Sequence, residues 1–124
     1  MGISYEDVPV KHHSEVAHPG HPAIIDTALL ATATAKLTAG TILKADASGE
    51  MVAADTTDTP VAVLAEDSDG KNPEVLVIWH GMVVQGRLSN LSEGLPVAVT
   101  PVMTGRLRAA GIYPAQLFTS AKKG

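Results

Sequence analysis

The apolar positions of the chain fall in short runs divided by polar turns. The longest run is Glu74-Val75-Leu76-Val77-Ile78-Trp79-His80, resumed after Gly81 by Met82-Val83-Val84. Apolar residues without polar alternation suit a strand covered on both faces, and Gly81 predicts a bulge or corner in it. Pro60 to Ala65 reads as a shorter apolar strand, with Pro60 tolerated at its first position. Thr41 to Ala45 and Glu50 to Ala54 read as a hairpin around Asp46-Ala47-Ser48-Gly49, whose Asp, Ser and Gly supply turn hydrogen bonds and a positive φ. Leu29 to Ala35 alternates small apolar residues with threonine and predicts another short strand, as does Leu95 to Val99. One helix is predicted from an N-cap at Thr100, through Pro101 at the first helical position, to a stop at Gly111. Val102, Arg106 and Ala109/Ala110 would form its packing face. These elements predict a mainly β domain.

Residues 1–26 break the pattern. They hold four of the five histidines (His12, His13, His18, His21) and three of the eight prolines, and Pro19-Gly20-His21-Pro22 interrupts any helix or strand. This stretch reads as an extended arm reaching on the order of 80 Å, against a radius of gyration of about 14 Å for the rest. The expected division is an arm over 1–26 and a β-rich domain over 27–124, with the arm ordered by a partner.

Composition sharpens this division. Of the 124 residues 45% are hydrophobic, but only 3% are aromatic: Tyr5, Trp79, Tyr113 and Phe118. A core of Ala, Val, Leu and Ile removes little area per side chain, so self-association is expected. The net charge is −4 with nine scattered basic residues, which disfavours a nucleic-acid partner. The absence of cysteine removes disulfides, thiolate metal sites and cysteine nucleophiles. No apolar run approaches the ~20 residues of a membrane helix, and Met1 to Asp7 lacks the features of a signal peptide, so a protein without membrane contact, folded where it is made, is expected.

Candidate chemistry is sparse. Glu66, Asp67 and Asp69 lie in a turn-rich loop where acids are normally solvated, and the calcium-loop pattern breaks off after Asp67-Ser68-Asp69-Gly70. His12, His13, Glu15, His18 and His21 carry metal-ligating groups, but a Pro/Gly-broken arm supplies no fixed geometry. His80 ends a strand with no nucleophile or carboxylate partner in sequence. The hairpins resemble those of biotinyl and lipoyl carrier domains, but Met51 stands between Glu50 and Val52, without the acceptor lysine. The expectation is therefore no catalytic residue, no cofactor and no metal. Two other readings are a small-ligand β-barrel module with the histidines and Trp79 around a pocket, and a metal-dependent hydrolase with His12, His18 and His80 as ligands.

Four segments in order carry a resemblance: Gly40-Thr41-Ile42-Leu43-Lys44 before a hairpin, Pro60 to Asp67 running into an acidic turn, Val75 to Val83 around His80-Gly81, and Arg106 to Ile112 ending in glycine-isoleucine. Over residues 36 to 118 the chain resembles the head decoration proteins of lambda-like tailed bacteriophages. The resemblance implies a small β-barrel or β-tulip-like domain with one or two short helices. It also implies a homotrimer on the outer surface of the expanded capsid, made in the host bacterial cytoplasm, that clamps the major capsid protein against internal DNA pressure. The arm would add to a capsid sheet through Val8-Pro9-Val10. The expected arm contacts are Tyr5, Val8, Pro9, Val10, Val16, Ile24 and Ile25, and the expected trimer contacts are Trp79, Met82, Tyr113 and Phe118.

Overall fold

The computed structural model describes residues 16–18, 23–31, 36–93 and 95–116. Their order is β1 (Ile24–Leu29), β2 (Ile42–Ala45), β3 (Met51–Ala53), β4 (Ala62–Leu64), β5 (Glu74–Val84), a 3-10 turn (Gln85–Arg87), β6 (Asn90–Ser92), β7 (Leu95–Val97), α1 (Pro101–Ala109) and β8 (Ile112–Ala115). The mainly β expectation holds. Five strands form an antiparallel sheet in the order β1-β5-β4-β2-β3, and β8 joins β5 in parallel. A separate hairpin pairs β6 with β7.

The long apolar run is the spine. The first half of β5 lies between β1 and β4, and its second half between β8 and the short segment around Ala17. Successive residues feed opposite faces. Ile42, Val63 and Ile78 join Met103, Leu107 and Ile112 in one buried cluster. Leu43, Leu64 and Val77 join Leu30, Leu37 and Met51 in another. Burial on both faces is why β5 carries no polar alternation. The sheet curls until Leu30 and Ala31, directly after β1, meet Met51 of β3; Ala31 N donates to Met51 O at 3.0 Å. Beyond this contact the described residues form no closed barrel.

Four expectations change. The strand expected over Leu29 to Ala35 lies earlier, at Ile24–Leu29, and residues 32–35 are outside the described ones. Pairing with β5 draws β1 out of the stretch read as arm. The bulge or corner expected at Gly81 lies two residues earlier, where the register with β1 skips Trp79; Gly81 itself sits within one continuous strand at φ +121°, a conformation glycine adopts without steric cost. Strand β8 was not legible because Pro114 lacks an amide; it is tolerated since, among the described residues, β8 pairs with β5 alone.

The fourth change concerns α1. Thr100 caps it as expected, its Oγ1 accepting Met103 N at 3.2 Å. The packing face, however, is Met103 and Leu107, an i, i+4 pair, while Val102 points to solvent. Leu107→Ala is therefore expected to cost about 3 kcal/mol and Val102→Ala less than about 0.5, measured by urea denaturation.

A polar clamp ties the helix to the sheet. Asp58 Oδ2 accepts Asp55 N at 2.9 Å and lies 2.9 Å from Lys44 Nζ, while Arg106 donates to Asp58 O at 3.2 Å. The Asp55 amide first, and then Lys44, hold the Asp58 carboxyl below its ordinary pKa. A depressed folded pKa gives stability that is complete above the unfolded value, near 3.9, and is lost as pH falls through the folded value. Lys44→Met should raise the Asp58 pKa, measured by carboxyl NMR titration, and shrink the stability difference between pH 5 and pH 2.

Candidate interaction face

The register of β1 on β5 builds the site. Ile25 pairs with Ile78, but Ile24 pairs with His80, so Trp79 is skipped and β5 bulges there. Ile25 packs against the helix-side cluster, which turns its neighbour Ile24 to the other face, with His80 beside it. Trp79 packs against the second cluster, on that same face. The bulge thus puts both Trp79 and His80 on one side. Beyond it the alternation resumes with Val83 on the helix side, so Met82 and its partner Tyr113 share the face of His80.

The result is a patch of Ile24, His80, Met82 and Tyr113 at the end of the sheet. Ile24 is 60% exposed and Tyr113 43%. The His80 and Tyr113 rings meet edge to face, with centroids 6.2 Å apart and planes at 84°. Gly111, with φ +92°, lets the imidazole lie over the backbone: a Cβ there would stand 2.5 Å from the His80 Cδ2. His18 flanks the patch, its amide donating to Met82 O at 3.0 Å and its Nε2 lying 3.0 Å from Gln116 O. Because Gln116 O can only accept, that contact places the proton on Nε2.

The structure therefore joins three residues that the sequence had assigned to two different roles: Ile24 with Met82 and Tyr113. Trp79 is half-buried beside them. Val16 is not a free arm residue: it is 1% exposed, inside the helix-side cluster, and its carbonyl accepts Val84 N at 2.7 Å. Ile25 is half-buried against the same cluster. Tyr5, Val8, Pro9, Val10 and Phe118 lie outside the described residues. Of the hydrolase ligands, His12 is also outside them, and among the described residues no three His, Asp or Glu side chains group as metal ligands.

The acidic loop has a structural role. Asp67 Oδ1 accepts Ala39 N at 2.8 Å, Ser68 Oγ accepts Leu37 N at 2.8 Å, and Asp69 Oδ1 accepts Lys71 N and Asn72 N at 2.7 and 2.8 Å. The Asn72 and Lys71 amides hold the Asp69 carboxyl below its ordinary pKa. Asp69 closes its own turn, while Asp67 and Ser68 tie the loop to the amides of Ala39 and Leu37 in the segment before β2.

Gly111 was the member of the site that sequence reasoning missed, and His18 and His80 were weighed there as metal or pocket residues, not as neighbours of Ile24 and Tyr113. The available signal for Gly111 was its helix-stop position; its second use, beneath an imidazole, needs the fold. No protein-family model matches the chain, and no curated protein sequence matches it.

Proposed function

We propose that this chain is a structural protein of a phage head: a homotrimer that binds the outside of the expanded capsid and clamps neighbouring major capsid protein subunits. The observation that carries the reading is the position of this patch, which is exposed among the described residues. It lies beside the segment 16–18, where the chain enters the sheet along the edge of β5. The arm and the patch can then engage one surface together. The fifteen residues before Val16 span roughly 50 Å if extended, enough to reach across a capsid subunit. Ordering them costs about 1–2 kcal/mol each in backbone entropy, which strand pairing by Val8-Pro9-Val10 and burial of Tyr5 would offset.

Leu29, Leu95 and Val102 are each more than half exposed and supply apolar area for subunit contacts. Repetition over a shell then multiplies a modest affinity per trimer. Sedimentation equilibrium tests the assembly step: three chains of 12.8 kDa give about 38 kDa. A concentration-independent mass of one chain would contradict the trimer and favour a monomeric ligand-binding module.

A further inference from the structure

We infer that Asp26 keeps the outer edge of β1 closed to strand pairing with a second copy of this chain. This does not depend on the capsid reading. Three observations carry it.

The first is the direction of the backbone groups along β1. Asp26 stands opposite Val77 and Ala28 opposite Val75, and Leu30 N continues that alternation by donating to Pro73 O at 2.7 Å. On the far side of β5, Ala65 N donates to Leu76 O at 2.9 Å. Leu76 and Ile78 thus turn their backbone groups to β4, and Val75 and Val77 turn theirs to β1. Asp26 and Ala28 bond to β5, while Ile25, Thr27 and Leu29 direct their amides and carbonyls outward. Ala31, next in the outward series, donates its amide to Met51 O at 3.0 Å. Among the described residues no strand lies beyond Ile25, Thr27 and Leu29. An open edge is a template for pairing with another chain. Ile24 and Leu29, at the two ends of β1, are each more than half exposed, so a paired copy would also gain apolar contact.

The second is a hydrogen bond at the centre of that edge. Asp26 and Thr27 are exposed, and Thr27 N donates to Asp26 Oδ1 at 2.7 Å. The carboxylate curls round its own backbone and takes the middle outward amide. Any register that pairs two or more adjacent outward residues with another strand needs that amide.

The third is charge. In an antiparallel pairing centred on Thr27, Ile25 meets Leu29 of the second copy. The two Asp26 carboxylates then lie diagonally on one face, about 7 Å apart. In the pairing that sets Ile25 against Thr27 they stand directly opposite. Like charges so placed oppose pairing, and 7 Å is inside the ~8 Å over which salt leaves such repulsion effective.

Asp26→Val removes the acceptor and the charge together and adds a side chain that favours strands. From micromolar to submillimolar concentration the wild-type chain should keep one mass by sedimentation equilibrium. The variant should rise to at least about twice that mass, because one edge meets one edge. Hydrogen exchange at the Ile25 and Leu29 amides should slow by about tenfold in the variant. Asp26→Val combined with Thr27→Pro removes the central amide, which β5 does not use, and should restore the wild-type mass. Circular dichroism checks that both variants keep the fold; if proline unfolds the sheet, hydrogen exchange of the single variant decides alone. An unchanged mass for Asp26→Val would overturn the inference, as would association that persists in the folded double variant. So would slow exchange at Ile25 and Leu29 in the wild-type chain, which would show an edge already paired.

Discussion

Gly40→Ala is expected to remove at least about 4 kcal/mol of stability, lowering Tm by roughly 15 °C or leaving no cooperative transition. Gly40 has φ +96°, and a Cβ built there stands 1.7 Å from the carbonyl oxygen of Arg87. The left-handed conformation alone costs a non-glycine residue about 1–3 kcal/mol. The clash adds to this because the obstacle is backbone, not a side chain that can rotate away. Relieving it separates the strands where Ser89 N donates to Gly40 O at 3.0 Å and Ile42 N to Ser89 O at 2.9 Å, each bond worth about 1 kcal/mol. Gly49 is the control. Its φ is +85°, yet nothing lies within 4 Å of a Cβ there, so Gly49→Ala should cost only the conformational part, about 1 kcal/mol. Equal losses from the two substitutions, measured by thermal and urea denaturation, would show that the Arg87 contact is not a constraint.

The second large effect separates residues 1–15 from residues 16–25. Deleting residues 1–15 should leave Tm within a few degrees of the full chain, whereas deleting residues 1–25 should unfold the domain or lower Tm by more than about 15 °C. The longer deletion takes Val16 out of the helix-side cluster, removes the Val16 and His18 hydrogen bonds to β5 and strips Ile24 and Ile25 from β1. A buried aliphatic side chain alone is worth about 2–4 kcal/mol, and an uncovered edge of the longest strand adds unpaired backbone. A loss of capsid binding after deleting 1–25 would therefore not implicate the arm, since it would follow from unfolding. Circular dichroism of both truncations checks this, and a folded 1–25 deletion would contradict the assignment of Val16 to the core.

Local chemistry made part of this structure legible. Asp46-Ala47-Ser48-Gly49 closes its hairpin through the Asp46 carboxylate and a positive φ at Gly49, and Thr100, Pro101 and Gly111 bound the helix. Strand β5 was legible because two covered faces leave an unbroken apolar signature. What was hidden depends on distant pairing. The composition of residues 1–26, with Pro19-Gly20-His21-Pro22 in the middle, reads as an arm, yet Val16 and Ile24 on either side of that break both lie along β5. The helix face was misread because alanines and Gly105 blur the periodicity, leaving Met103 and Leu107 as its only large buried anchors. The patch was split between two roles because its unity rests on the bulge at Trp79. Gly81 advertises a kink in the sequence, but the skipped residue is two positions earlier, where only the register with β1 reveals it.

The proposed clamping of a shell is tested most directly by cosedimentation with expanded, DNA-free capsids of tailed phages. The full-length protein should bind saturably, in multiples of three copies per site, and raise the temperature at which the shells break. The folded 1–15 deletion should bind at least about 100-fold more weakly. Equal binding by both proteins would remove the arm from the mechanism, and no saturable binding by the full chain would contradict the capsid reading itself.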